Sequence, residues 1–170
     1  MQTVTNSLKL DYPKDLVLEV THFDLMHNLP GYKSMLGMEE LTMLRFDEHA
    51  DGSHDVEFTM KSKDRLPALA RKVIKPEMLT WRQVGRWNPD TLTFEFKVLP
   101  YFFQKLISIQ GRKRYLAESG AMRMEIAVRI SVGIPGIGRL LEQVIAGELK
   151  KEQIKLFDKI EREIKDRSQA

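Results

Sequence analysis

The stretch Met122-Arg-Met-Glu-Ile-Ala-Val-Arg-Ile-Ser-Val132, running into Gly133-Ile-Pro-Gly-Ile-Gly138, decides the fold. Met122, Met124, Ile126, Val128, Ile130 and Val132 occupy every second position. Successive side chains of an extended chain point to opposite faces, so these apolar groups share one face of a strand. The glycine-proline run then punctuates the chain. From about Ile137 to about Asp166 the apolar period becomes helical, and at 1.5 Å per residue that helix is about 45 Å long. A strand buried on one face, a sharp break and a long closing helix predict a sheet with a helix laid across it. Such a shape can enclose a cavity.

Within the helix, Ile137, Leu141, Ile145 and Leu149 recur every four residues, with Leu140 and Val144 beside them. Each step of four turns the stripe by about 40°. Leu156, Phe157, Ile160 and Ile164 therefore lie about half a turn from Ile137. A helix gripped by a curved sheet needs this rotation; packing of its second half on a partner chain is the alternative. Gly147 marks a place to bend, and Glu148 and Glu152 on the extrapolated early stripe are expected in solvent.

Upstream, period two returns repeatedly. Val4, Leu8 and Leu10 form a first strand, and Pro13 opens a helix. A second helix from Phe23 is expected to break at Asn28-Leu-Pro-Gly31 and resume to Leu36. Leu41 and Met43 lead to the hairpin signal Asp51-Gly52, after which Val56, Phe58 and Met60 alternate with polar residues. Residues 66–74 read as an inserted helix. Trp81, Gln83, Gly85 and Trp87 share a parity, as do Phe94, Phe96 and Val98 after the Asn88-Pro-Asp90 turn. Residues 106–117 read as a less regular strand, turned at Ser119-Gly120. The order is β-α-α-β-β-(α)-β-β-β-β-α, an antiparallel meander wet on one face.

The 170 residues suit a single domain over 1–170 with a sizeable core. There is no cysteine, which excludes disulfides and thiolate chemistry and fits a cytoplasmic setting. The first residues lack the pattern of a signal peptide, and no stretch is long and apolar enough for a spanning helix. A net charge of +3, with basic residues spread along the chain apart from the run Arg112-Lys113-Arg114, does not point to nucleic acid.

The last strand with its break, Val128-Arg-Ile-Ser-Val-Gly-Ile-Pro-Gly-Ile-Gly-Arg-Leu-Leu-Glu142, resembles the START-like, birch-pollen-allergen-like (SRPBCC) superfamily. Within it the chain is similar to a bacterial family of uncharacterised function that carries a tryptophan-bearing middle strand, here Trp81. The resemblance implies an α+β helix-grip fold, a curved seven-stranded antiparallel sheet around the C-terminal helix. It also implies a cavity for lipids, isoprenoids or similar apolar molecules. It supplies no catalytic motif, metal or cofactor.

Phe58, Met60, Trp81, Gln83, Phe94, Phe96, Met122, Met124, Ile126, Leu141 and Ile145 are the expected ligand-binding residues. Aromatic and methionine side chains give an adaptable apolar lining, and Gln83 is a polar group able to orient a ligand. Plain core filling explains the same stripes. The leading expectation is binding, with transport as an extension, of a hydrophobic small molecule. One alternative is an enzyme of cyclase or dehydratase type on an aromatic or polyketide-like substrate, for which Gln83, Arg45, His22 and His54 would matter. The other is an interaction module using the late helix face around Phe157 and Ile160. The aromatic connection 99–107 is a place for transient membrane contact. His22, His27, His49 and His54 show no metal-ligand spacing.

Overall fold

The computed structural model describes residues 1–170, every side chain but that of Leu69 included. Seven strands, β1 (Gln2–Leu10), β2 (Met38–Glu48), β3 (His54–Ser62), β4 (Thr80–Asn88), β5 (Thr93–Pro100), β6 (Ile107–Glu118) and β7 (Ala121–Val132), form one sheet. Their order is β1-β7-β6-β5-β4-β3-β2, antiparallel at every pairing. The meander β2 to β7 follows from its short turns, and β1 joins beyond β7. The long helix α5 (Gly138–Ser168) closes the structure. This is the α+β helix-grip architecture that the last strand, break and helix predict.

Between β1 and β2 lie α1 (Lys14–Leu18), a π-helical turn at Glu19–Phe23, α2 (Asp24–His27) and α3 (Leu29–Leu36). The break expected across Asn28–Gly31 falls at Asn28 alone. Its side chain accepts the Gly31 N–H at 3.2 Å, and Pro30 sits in the first turn of α3, where no donor is needed. The inserted helix α4 is shorter than expected, Ala68–Arg71. Pro76 holds the residue before it, Lys75, in extended backbone, and a tight 3-10 turn follows at Pro76–Leu79.

The strand-break-helix junction is tightly built. A Cβ on Gly138 would sit 2.2 Å from the Val132 carbonyl oxygen, so only glycine fits there. Glu142, one turn into α5, accepts the Val132 N–H at 2.9 Å, satisfying the end of β7. The buried stripe of α5 turns as it advances, from Leu141 to Ile160 and Ile164. Its second half reaches α3, α1 and the π turn, with Phe157 and Ile160 packed into the chain's own core. That contact removes the basis for an interaction module on this face. Gly147 lies exposed within an unbroken helix.

The register sets which residues face inward together. One rung crosses the sheet through His54, Trp87, Phe94, Lys113, Ile126 and Asn6. The next passes through Val56, Gly85, Phe96, Gly111, Val128 and Val4. A third joins Phe58, Gln83, Val98, Ile109 and Ile130, and a last one Met60, Trp81 and Pro100.

Candidate functional site

The helix α5 lies on β1 and β7 and leaves the inner face of β4, β5 and β6 less covered. Inward residues of the covered side are sealed: Met122, Met124, Ile126, Val128, Ile130 and Leu141 are all buried. Trp81, Gln83, Phe96, Val98 and Ile109 face inward too, yet each remains half-exposed. Ile145 and Leu149, also half-exposed, look out from α5. Inward-facing apolar side chains that keep solvent contact form a partly uncovered strip of sheet beside the helix, a hollow open to solvent. Depressions of about 340 Å³ and 280 Å³ lie elsewhere, around Arg45, Asp55, Arg86 and Glu95 and around Lys97, Gln104, Ser108 and Ser131. Phe58 and Met60 are buried along its β3 wall.

Two glycines shape the floor. A Cβ on Gly85 would meet the tip of the Phe94 ring at 2.2 Å, and one on Gly111 the tip of Phe96 at 2.3 Å. The missing side chains let both rings lie across the neighbouring strand, 6.1 Å apart and inclined by 27°. The rings thus pave the sheet instead of filling the space above it. Near the far rung, the buried Trp81 indole N–H has no acceptor among the described residues.

The sequence-expected site residues therefore divide. Trp81, Gln83, Phe96 and Ile145 border the hollow, with Phe58, Met60 and Phe94 in its walls and floor. Met122, Met124, Ile126 and Leu141 belong to the packed side of the core. Arg45 lies outside altogether, exposed and paired with Asp47 at 3.4 Å on the outer face.

The end of the hollow near α1–α3 carries polar groups, most of which the sequence pattern concealed. A π turn holds an extra residue, and here it turns the consecutive Thr21 and His22 inward, both buried. The Thr21 hydroxyl donates to the Val17 carbonyl at 2.6 Å, which makes it the acceptor of the Tyr115 hydroxyl at 2.7 Å. His22 stacks on Trp87 with centroids 4.4 Å apart. Its Nε2 is 3.0 Å from Nε2 of His54, so one ring donates and the other accepts. Beside them, Lys113 Nζ donates to the Thr21 carbonyl at 2.5 Å. It stands 5.7 Å from the Phe94 ring centre and 5.9 Å from that of Tyr115.

Burial governs the electrostatics of this cluster. It pushes the Lys113 ammonium down to about 7 and the Tyr115 phenol up. His22 is held well below its ordinary value by burial, then by the Lys113 and His54 charges, and burial also lowers His54. The nearby buried carboxylate, Asp24, is occupied by Arg167 from the end of α5.

Lys113 is hidden in the sequence because it sits inside the basic run Arg112-Lys113-Arg114. Only the register reveals it, by placing Lys113 opposite Phe94 and Ile126. Asn6 and Gln153, which bond across from β1 to α5, were equally unreadable. The histidines take separate partners: His22 pairs with His54, His27 with Glu19 at 2.7 Å, and His49 with Asp55 at 2.8 Å. Among the described residues, no three His, Asp or Glu side chains gather as a metal site.

The opposite end is the more exposed one. There the connection after Pro100 exposes Tyr101, Phe102, Phe103 and Leu106, next to the Trp81–Pro100 rung. Among the described residues, no helix is long and apolar enough to cross a membrane.

Comparison with known proteins agrees with this fold. Residues 34–161 match the family described as a protein of unknown function (DUF2505). No curated protein matches the sequence. An 18 kDa protein from Caulobacter crescentus superposes with a TM-score of 0.68 at 14% identity, covering 100% of both chains. A START superfamily protein from Mycobacterium smegmatis gives 0.57 at 11%, covering 96% of this chain and 97% of that one. Norcoclaurine synthase from Thalictrum flavum, in complex with dopamine and hydroxybenzaldehyde, gives 0.64 at 11%, covering 97% and 87%.

Proposed function

The chain belongs to the DUF2505 family and has the START-like helix-grip fold, and from that premise we propose that it binds a hydrophobic small molecule, a lipid or isoprenoid, between sheet and α5. One observation carries the reading: on the inner face of β4–β6, Trp81, Gln83, Phe96, Val98 and Ile109 form a largely apolar strip that α5 leaves half-exposed. Covering that face with an apolar ligand would contribute roughly 25 cal/mol per Å² removed from water. Gln83 and the unpartnered Trp81 N–H would orient a polar group of the ligand. A neutral fluorophore such as N-phenyl-1-naphthylamine tests this. Binding should saturate with one equivalent, and Val98→Trp, which fills the hollow, should weaken it by about tenfold or more. Absence of saturable binding, or a Val98→Trp protein that binds equally well, sinks the reading.

The exposed Tyr101, Phe102, Phe103 and Leu106, flanking Lys105 at the open end, suit transient contact with a lipid surface during delivery. Co-flotation with anionic vesicles, lost in a Phe102→Ser/Phe103→Ser protein, tests that step. A catalytic reading on aromatic substrates is favoured by the His22–His54 pair and Lys113, titratable groups buried at one end of the hollow. Norcoclaurine synthase shows that the fold accommodates small aromatic compounds. Turnover of an aromatic aldehyde or polyketide-like compound, abolished by His22→Phe, would establish it.

A further inference from the structure

Lys113 is the one buried charged side chain on the inner sheet face, and no acidic residue pairs with it among the described residues. An ammonium has three donors. The structure gives Lys113 one protein acceptor, the Thr21 carbonyl. Its other neighbours are ring faces and edges: Phe94, Tyr115 and His22. An unpaired buried charge destabilises a fold, and a sequence has little reason to place one in an apolar rung unless something else complements it. The Asp24 carboxylate does not, because Arg167 takes both of its oxygens.

Position supplies the second argument. Lys113 is opposite Phe94, whose ring lies over Gly85, and two residues along β6 from Gly111, which lies under Phe96. The half-exposed Val98 and Ile109 continue the same surface toward the open end. From Ile109 to Lys113 is about 13 Å at 3.3 Å per residue. An apolar path of that length ends at a cation.

We infer that Lys113 anchors an anionic oxygen head group, a carboxylate, at the closed end of the hollow, with the apolar tail lying over Phe94 and Phe96 toward Trp81. The inference rests on the binding reading above and names its ligand class: an apolar monoacid of moderate length. A bound carboxylate would complete the donor set of the ammonium and hold it charged, offsetting the burial that now drives its pKa to about 7.

The test compares decanoic acid with 1-decanol as displacers of N-phenyl-1-naphthylamine, in the unaltered protein and in Lys113→Met. The unaltered protein should prefer the acid by about tenfold or more, the scale of a charge-assisted hydrogen bond. In Lys113→Met the acid should fall to the level of the alcohol or below. Equal affinity for both compounds in the unaltered protein, or an acid preference that survives Lys113→Met, overturns the inference and leaves apolar binding standing. Failure of both compounds to displace the fluorophore overturns the binding reading and this inference together. Urea unfolding of Lys113→Met verifies that the variant is folded.

Discussion

The inner faces of β7 and β4 follow the same period of two but have different surroundings. Along β7, every inward residue from Met122 to Val132 is buried, because α5 lies over it and β1 flanks it. Along β4, only Trp87 is buried; Trp81, Gln83 and Gly85 stay partly open. Alternation reports which face points inward. It does not report whether anything lies opposite. That is set by the line of a single helix, about 46 Å long for its 31 residues, across a sheet wider than the helix can cover.

The sharpest way to break this contrast is to shorten one side chain on each side. Ile130, fully buried on β7, should cost about 2–5 kcal/mol as Ile130→Ala, since its neighbours cannot collapse into the gap. Val98→Ala on β5 should cost well under half as much, because its side chain already meets a hollow. Urea unfolding of both variants measures the difference. Equal losses would mean that the β4–β6 side is packed as densely as the β7 side.

These same two regions show what could be read in the sequence. The seven strands, the turn at Asp51-Gly52, the break at Gly133–Gly138 and the rotating stripe of α5 are local patterns, each set by its own residues. So is the inward parity of Phe58, Trp81, Gln83 and Phe96. The division between lining and filling is not local. Met124 and Trp81 look alike in sequence, yet one is sealed by β1 and α5 and the other borders the hollow. Lys113, Tyr115 and Thr21 escaped for a related reason. Their meeting depends on a π turn in one segment and the register of β6 in another.

Lys113→Met gives the next largest effect, and its sign is opposite to that of an ordinary core substitution. Replacing an unpaired buried cation by an apolar side chain of similar length should stabilise the protein by about 1–4 kcal/mol at pH 7. Burial lowers the folded-state pKa from 10.5 to about 7. Above the unfolded value both states are neutral and the penalty vanishes. As pH falls, the unfolded chain gains the proton first, so the penalty grows until the folded pKa is reached. The groups facing Lys113 are His22, Tyr115 and the Thr21 carbonyl, and none carries a negative charge at neutral pH. The gap between the two urea midpoints should therefore be widest at pH 7 and narrow steadily to pH 9.5. A gap that is constant with pH would mean that Lys113 is neutral or fully compensated throughout.

Gly111→Ala probes the paved floor. The new methyl would meet the Phe96 ring at 2.3 Å, and the ring must swing up into the hollow. Because the obstacle is the end of a side chain with space beside it, the cost should be moderate, about 1–3 kcal/mol. The raised ring should also block the fluorophore, so affinity falls together with stability. An unchanged affinity would place the ligand away from Phe96.

The smallest effect belongs to Gly147→Ala. This glycine lies exposed inside α5, and a Cβ there would meet nothing within 4 Å. Alanine in a helix interior is favoured over glycine by about 1 kcal/mol. The melting temperature should therefore rise slightly if α5 is one stiff element from the packed region to the hollow. The fluorophore separates that outcome from the alternative. If entry to the hollow requires α5 to flex at Gly147, between Ile145 and Leu149, the stabilised variant should bind more slowly at unchanged equilibrium affinity. Equal association rates would assign access to the open end beside Tyr101 and Phe103, and leave Gly147 without a role in binding.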